Sequence, residues 1–190
     1  MRYPLPPKDA NGDYLNGMSR RLGHLFNFLG MQEKLIPYYF SSDPNHSPPF
    51  KLFNNVRVRA NAESDWNASA LGIRSDIIKV GTERILEDVV GPFALGLFKD
   101  TQEEGDTKGN GWKVMMRNDI YSTRAYMCLK YIPSASFGLE PEHLETNVVN
   151  WIETLDTSTG TFDRSLTESV LETVAFGAVG GEVLDWKCIE

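Results

Sequence analysis

NDIYSTRAYMCLKYIP, residues 118–133, predicts a short amphipathic helix with a marked start and a marked end. Ser122 is placed to cap this helix, because its hydroxyl can accept a hydrogen bond from an unpaired N–H of the first turn. Tyr126, Met127 and Leu129 supply the apolar side. The closing proline ends the run, since proline disfavours helical geometry in the residue before it. The stretch is therefore expected to be a core helix, and the segments on either side of it should provide the elements that pack against it.

Two more helices are predicted on the carboxyl side of this stretch. Residues 141–155 carry Leu, Val, Trp and Ile residues at helical spacing on one face. Ser165 and Glu168 form a capping-box pattern, in which each side chain can bond the backbone N–H of the other residue. The helix that starts there is expected to end at Phe176, because Gly177 follows.

A wide apolar stripe on the amino side predicts a long helical region from about residue 76 to residue 97. Gly91 and Pro92 lie inside this stripe and predict a kink or a break into two helices. Residues 100–111 are charged and contain three glycines, so they are expected to form a mobile loop.

The two ends of the chain predict a small amount of β-structure. Residues 19–30 have the apolar spacing of a helix, and residues 35–40 are β-prone, although their proline restricts them to a sheet edge. Residues 50–59 predict a hairpin around an Asn-Asn turn, and residues 183–189 predict a final strand. Together the patterns predict an α+β fold that is mainly helical, with a helical domain and a small hairpin and strand portion.

Composition excludes several classes of protein. The chain has 190 residues, 41% of them hydrophobic and 24% charged, which is globular rather than disordered composition. Its net charge of −7 argues against a nucleic-acid partner, because phosphate-binding proteins present a basic face. Its two cysteines, Cys128 and Cys188, lack metal-ligand spacing, so no zinc site is predicted.

No apolar run is long enough to cross a bilayer, so no membrane partner is expected. The amino terminus lacks the apolar stretch of a signal peptide, and the compartment stays open.

Spacing alone does not assemble a catalytic set. The three histidines (His24, His46 and His143) are scattered, and residues 177–181 lack the spacing of a dinucleotide-binding loop. Carboxylates at Asp119, Glu153 and Asp163 are candidate acids, with helix ends and solvated faces as the alternative. Three aromatic residues (Tyr121, Tyr126 and Trp151) are candidates to line a cavity, with an aromatic core as the default.

Several segments, taken in order, resemble the flavin-dependent L-amino-acid oxidases, within the flavin amine oxidase superfamily. The segments are MRYP at 1–4, FLGM at 28–31, FNNVRVR at 53–59, DIYSTRAY at 119–126, VNWIETL at 149–155 and WKCIE at 186–190. The first resembles the end of that family's Gly-Ala-Met-Arg-Leu-Pro-type motif. The fourth resembles its Asp-x-Tyr-Ser-Thr-x-x-Tyr helix start. Their order and spacing together carry the resemblance over most of the chain.

The resemblance implies a division of the chain and a missing cofactor site. Residues 1–60 would belong to a partial substrate-binding domain, residues 61–177 to a helical domain lining substrate access, and residues 178–190 to the start of a flavin- or substrate-domain strand. FAD would be held mainly by segments outside this chain, one before it and one after it. The chain would then be a central fragment, inactive alone. Its cofactor-binding residues stay unknown.

The resemblance also implies an activity and one site residue. The intact enzyme would oxidise an L-amino acid to an imino acid, which hydrolyses to a keto acid, while oxygen is reduced to hydrogen peroxide. Arg2 matches the motif arginine that binds the substrate carboxylate, a role that suits a bidentate guanidinium; the alternative is an exposed terminal arginine. No catalytic residue is assigned, no active-site histidine can be matched, and a homodimer stays open.

Two other functions remain open. The chain could be a helical interaction module that has lost catalysis, or a subunit that regains activity when mixed with the missing pieces. An oxidase fragment predicts exposed apolar patches where a flavin domain would dock, whereas an interaction module predicts polar or covered faces.

Overall fold

The computed structural model describes residues 2–15, 19–38, 50–59, 62, 64–102, 109–156, 160–176 and 185–189. The α-helices in these ranges are α1 (Arg20–Phe28), α2 (Ser75–Val80), α3 (Thr82–Gln102), α4 (Asn110–Asn118), α5 (Thr123–Leu129), α6 (Thr146–Leu155) and α7 (Leu166–Phe176). The strands are β1 (Arg2–Leu5), β2 (Leu35–Pro37), β3 (Phe50–Phe53), β4 (Val56–Arg59) and β5 (Asp185–Ile189). This confirms the predicted fold class, α+β and mainly helical.

The main core is helical and is built around α3, which packs against α4, α6 and α7. Ile85, Val89 and Ala94 on α3 are fully buried, as the apolar stripe predicts. Fully buried side chains of the surrounding helices complete the core (Met115, Met127, Val149, Ile152, Leu166 and Val170). No helix within the described ranges is both long and apolar enough to cross a membrane.

Of the two alternatives predicted at Gly91 and Pro92, a kink or a break, the break is wrong, because α3 continues through both residues to Gln102. Pro92 is exposed, so its ring points away from the packed face. Val90 and Ala94 on either side of it are buried, and their packing holds the helix together despite the missing main-chain donor. The chain breaks instead at Gly81, where a φ of 87° separates α2 from α3.

The helices α3 and α4 touch at two glycines. A Cβ atom on Gly111 would lie 2.3 Å from the carbonyl carbon and oxygen of Gly96, so only hydrogen fits at that point. Nearby, the Asp100 carboxylate accepts hydrogen bonds from the backbone N–H groups of Gly111 and Trp112, at 3.1 and 2.8 Å. This carboxylate therefore satisfies donors at the start of α4. Of the predicted mobile loop, residues 103–108 lie outside the described residues.

Ser122 caps α5 as the sequence predicts. Its backbone is extended, with φ −71° and ψ 161°, and its hydroxyl accepts a hydrogen bond from the Ala125 N–H at 3.1 Å. The two fully buried side chains of α5, Thr123 and Met127, face the core. The stretch that the sequence singles out is thus a short core helix.

The helix α6 begins at Thr146, later than the predicted start at residue 141. Two contacts hold the preceding segment extended along the end of α5. The Leu144 N–H donates to the Met127 carbonyl at 3.3 Å, and His143 Nδ1 lies 2.8 Å from the Tyr131 carbonyl oxygen. These contacts use backbone carbonyl groups of α5 and of the segment directly after it, which sequence periodicity does not reveal.

Only half of the predicted capping box at α7 forms. The Ser165 hydroxyl accepts a hydrogen bond from the Glu168 N–H at 3.2 Å. The Glu168 carboxylate instead accepts from Arg164 Nη1 at 2.7 Å. A charged donor one residue before the cap therefore replaces the expected backbone contact.

The β-structure forms two small sheets. In one, β5 lies between β1 and β2 and pairs antiparallel with both, so an edge strand forms at residues 35–37 of the β-prone segment 35–40. Each outer strand contains a proline, Pro4 in β1 and Pro37 in β2. The other sheet is the predicted β3–β4 hairpin, whose turn residues Asn54 and Asn55 have φ of 48° and 63°. Positive φ at both positions is typical of a type I′ turn, which asparagine tolerates.

The first prediction tests the contact between α3 and α4. Gly111→Ala is expected to lower the free energy of unfolding by about 2 kcal/mol, because the new methyl group overlaps the Gly96 carbonyl. Urea unfolding followed by circular dichroism measures the change.

Gly91→Ala is the matched control, since it also adds a methyl group to a helical glycine. The nearest atom to its Cβ is the Glu87 Cγ at 3.8 Å, an ordinary contact. Because a Cβ before Pro92 disfavours helical geometry while alanine favours a helix, the two effects oppose each other, and this variant should change the free energy of unfolding less than Gly111→Ala. Equal effects at both positions would contradict the close approach.

Candidate functional site

The candidate site is one face of the sheet formed by β1, β5 and β2. Arg2 lies opposite Cys188, and Cys188 lies opposite Ile36, so these three side chains share a face. The alternate residues Tyr3, Leu35 and Ile189 pack against the small core formed by Leu5, Tyr14 and Phe26. The face with Arg2 is therefore turned away from that core.

Arg2 lies beside an aromatic ring on this face. Its guanidinium carbon is 5.9 Å from the centroid of the Tyr38 ring, within the range of a cation–π contact. Tyr38 follows β2 directly, and its N–H donates to the Trp186 carbonyl of β5 at 2.8 Å, which places it in line with the sheet. Arg2 is exposed. The geometry thus places the guanidinium of an exposed residue beside an aromatic ring.

Trp186 connects the sheet to the helical part of the chain. It pairs with Pro4, two residues from Arg2, and its ring stacks on Phe176 at the end of α7. The two ring centroids are 6.2 Å apart and the interplanar angle is 15°. The face thus combines the Arg2 guanidinium with aromatic side chains. We call the surface formed by Arg2, Ile36, Tyr38, Trp186 and Cys188 the arginine face.

The carboxylates Glu153 and Asp163 serve the structure rather than an open site. Both bind Arg124 of α5, through Nη2 to Glu153 at 2.5 Å and through Nε to Asp163 at 2.6 Å. The other Glu153 oxygen accepts from the Phe162 N–H at 2.8 Å, in a buried position. Burial lowers the pKa of Arg124, but the hydrogen bond that Arg124 donates to Asp163 and the charge of Glu153 outweigh burial and raise that pKa overall.

The remaining candidates from the sequence are also accounted for by packing. Asp119 accepts a hydrogen bond from the Thr167 hydroxyl at 2.5 Å. Tyr126 lies between Phe93 and Tyr121, at centroid distances of 5.5 and 6.3 Å, and burial raises the pKa of Tyr126. Trp151 is a core residue that is 4% exposed. These aromatic residues follow the default of an aromatic core.

The histidines do not come together. His24 is exposed on α1, and His143 bonds the Tyr131 carbonyl. The third, His46, lies outside the described residues, as do residues 177–181. Within the part of the chain that the structure describes, no group of three or more His, Cys, Asp or Glu side chains could hold a metal ion.

Asp88 is a polar centre that sequence reasoning missed. Its carboxylate accepts three hydrogen bonds: from the Tyr131 hydroxyl at 2.7 Å, from the Ser134 N–H at 3.0 Å and from the Ser134 hydroxyl at 2.5 Å. Burial would raise the pKa of Asp88, but the bonds from Ser134 and Tyr131 outweigh it and hold this pKa below the usual 3.8. The partners lie far from Asp88 in sequence, so no local pattern marks it.

Comparison with known proteins identifies two oxidases with similar sequences. The chain is 54% identical over all 190 residues to L-amino-acid oxidase 4 of Hebeloma cylindrosporum and spans 30% of that protein's length. It is 37% identical over 149 residues to a cytotoxic L-amino-acid oxidase of Amanita phalloides. That alignment covers 72% of this chain and 99% of the Amanita protein. No protein-family model matches the chain.

The second prediction concerns Asp88 and pH. Because its folded pKa is lowered, its stabilising effect is present above the unfolded pKa and is lost as the pH falls through the folded value. Asp88→Asn should lower the free energy of unfolding by about 1–3 kcal/mol at neutral pH, since it leaves buried donors poorly paired. Urea unfolding across an acidic pH series should show the difference from the unchanged chain shrinking as the pH falls.

Asp13→Asn is the control, because Asp13 is an exposed carboxylate away from the helical core. It should change stability little at any pH. A difference between Asp88→Asn and the unchanged chain that stays constant down to the acid end of the series would contradict an ionised, hydrogen-bonded Asp88.

Proposed function

The chain belongs to the L-amino-acid oxidase family, and we propose that it forms the substrate-binding part of an FAD-dependent member of that family. In the proposed enzyme an L-amino acid is oxidised to an imino acid, which hydrolyses to a keto acid, and oxygen is reduced to hydrogen peroxide. The division into a partial substrate domain, a helical domain and a final strand is part of the same proposal. Isolated from the rest of such an enzyme, the chain is expected to be inactive.

The arginine face is the observation that carries the proposal. An amino acid presents a planar carboxylate, which a guanidinium can bind through two parallel hydrogen bonds. Arg2 is exposed on this face, and Tyr38 and Trp186 supply aromatic surface beside it. Arg2 would fix the substrate by its carboxylate, so that the α-carbon takes one defined position. The amino acid preferred by the enzyme is left open by this argument.

The described residues fit the substrate side of such a site and do not fit the phosphate side of a dinucleotide. Among them, no helix follows a strand through a glycine-rich loop that could cradle a diphosphate. We therefore assign FAD to other parts of a longer polypeptide. When bound, the flavin supplies the two-electron oxidation and passes the electrons to oxygen. The residues of this chain bind the substrate, orient it and shield it.

Exposed apolar side chains support the view that this chain packs against further protein. Phe28 on α1 is 86% exposed and Ile120 after α4 is 81% exposed. Leu129 and Phe176, at the ends of α5 and α7, are also more than half exposed. Large apolar side chains at several helix ends favour a docked piece of a larger enzyme over a self-contained interaction module, whose faces would be polar or covered.

The third prediction tests Arg2 in an active enzyme. Residues 1–190 can replace the matching segment of the Hebeloma relative, because the two are 54% identical over the whole chain. The grafted enzyme should release hydrogen peroxide with L-amino acids. Arg2→Met should lower kcat/KM about 100-fold, and Arg2→Lys about tenfold, because the bidentate contact is lost or reduced to a point charge. A coupled peroxidase assay measures the rates.

Arg21→Met is the matched control, since Arg21 is exposed on α1 and away from the arginine face. The visible absorbance of bound flavin establishes that each grafted variant is folded. If Arg2→Met retains flavin and full kcat/KM, the assignment of Arg2 is wrong.

The fourth prediction concerns the chain by itself. The purified chain is expected to carry no flavin and to bind a dye that fluoresces on apolar surface. The flavin result follows because the described residues contain no loop that could cradle a diphosphate, and the dye result follows from the exposed helix ends. A purified chain that shows the visible absorbance of bound flavin, or one that does not raise the fluorescence of the dye, would contradict the assignment of a flavin-free docking piece.

A further inference from the structure

The outer face of the β3–β4 hairpin combines cations with exposed apolar side chains. The cross-strand register places Phe50 opposite Arg59 and Leu52 opposite Arg57, so all four side chains share one face. Phe50 is 48% exposed and Leu52 is 65% exposed. Each apolar side chain on β3 therefore has a cation directly across from it on β4. We call this surface the basic hairpin face.

Contacts on the inner side and at the turn hold the hairpin on the body of the chain. The Phe53 ring meets the Trp66 ring at its edge, with the two centroids 5.1 Å apart. The Asn54 side chain donates to the Trp66 carbonyl at 2.9 Å, and the Asn67 side chain donates to the Asn54 carbonyl at 3.0 Å. Because side chains alternate along a strand, these contacts leave the basic hairpin face turned outward.

The two guanidinium groups of the basic hairpin face are concentrated on one aromatic ring. The guanidinium carbons of Arg57 and Arg59 lie 3.8 and 4.0 Å from the centroid of the Phe50 ring. A guanidinium that packs on a ring keeps N–H donors for an anion. Arg57 makes no ion pair with another residue that the structure describes. Since two like charges on one ring repel each other, an anionic group that contacts both would be favoured.

The charge of the hairpin is opposite in sign to that of the whole chain. Residues 50–59 contain Lys51, Arg57 and Arg59 and no Asp or Glu, whereas the chain as a whole carries −7. Lys51 lies on the other side of the hairpin, at a cleft of about 820 Å³. Two further cations and two carboxylates also line that cleft (Lys79, Arg84, Asp65 and Glu83). The hairpin end is therefore locally basic, and exposed charges act over about 10 Å at 0.1 M salt.

A bilayer that contains anionic phospholipid complements this face in both respects. Its headgroups can accept hydrogen bonds from the two guanidinium groups, and the hydrocarbon below them can take up Leu52 and the Phe50 ring. The four side chains lie side by side on a two-stranded ribbon, which suits an extended surface. A nucleic acid would supply phosphates but no apolar layer. We propose that the basic hairpin face is a peripheral docking site for an anionic phospholipid surface.

This docking site is independent of the proposed oxidase activity, because it uses none of the residues of the arginine face. Contact of this kind reaches only to the boundary of headgroups and acyl chains, about 5–10 Å deep, so it needs no membrane-spanning helix. The proposal therefore replaces the sequence-based expectation of no membrane partner, which considered only the length of apolar runs.

Vesicle sedimentation tests the proposal on the full chain of 190 residues. The chain should sediment with vesicles of phosphatidylcholine that contain about one-third phosphatidylserine, less with pure phosphatidylcholine, and less as salt rises. Arg57→Gln should weaken binding to the anionic vesicles about fivefold, because one cation is lost at the surface. Leu52→Ser should weaken it about threefold, because less apolar surface is buried. Circular dichroism establishes that each variant is folded.

Matched controls separate this face from other exposed charge and other exposed apolar surface. Arg21→Gln and Ile120→Ser make comparable changes at exposed positions outside the hairpin and should leave vesicle binding unchanged. The proposal is overturned if the unchanged chain does not bind the anionic vesicles at low salt, or if the hairpin variants bind them no more weakly than the controls. It is also overturned if poly-L-glutamate, duplex DNA or inorganic phosphate binds as tightly as the vesicles, because the face would then serve a soluble anion.

Discussion

The ladder of hydrogen bonds that holds β5 between β1 and β2 is the constraint on which the candidate site depends. It places Arg2 opposite Cys188 and Cys188 opposite Ile36, which are residues from the two ends of the chain and from β2. Because cross-strand partners share a face, this register alone decides that Arg2 points away from the small core. A slip of one residue would turn Arg2 into that core and bring Tyr3 outward. The site is therefore a property of the pairing rather than of any single segment.

The helical core depends on a different kind of contact, in which charged groups join elements that are distant in sequence. Arg124 joins α5 to α6 and to the segment before α7 through Glu153 and Asp163, and Asp88 joins α3 to the segment after α5. Of these groups, Glu153 and Asp163 are candidate acids when the sequence is read alone. In the structure their oxygens are occupied by protein donors, so they fix the helices on which the rest of a site would be mounted.

The parts of the fold that sequence predicted are those set by local chemistry. The hydroxyl of Ser122 caps α5, and the two asparagines at 54 and 55 form the hairpin turn, because both effects act within a few residues. Prediction failed where packing overrides the local rule. Pro92 does not break α3, because buried neighbours hold the helix, and α6 starts late, because α5 holds the preceding segment. At the candidate site, the motif resemblance predicted Arg2. Its neighbours Tyr38 and Trp186 could not be predicted from the sequence, because their positions depend on the register of the strands.

The prolines of the small sheet have a consequence for self-association. The Tyr38 N–H donates to the Trp186 carbonyl, so the backbone N–H and C=O of Trp186 point toward β2, and the backbone nitrogen of Pro4 opposite it points away from β5. By the same alternation, the backbone nitrogen of Pro37, which lies opposite Lys187, points to the outer side of the sheet, where it has no N–H to donate. Both rims of the sheet thus lack a donor that an incoming strand would need. The molecule can expose a short, partly apolar sheet without recruiting further strands into fibrils.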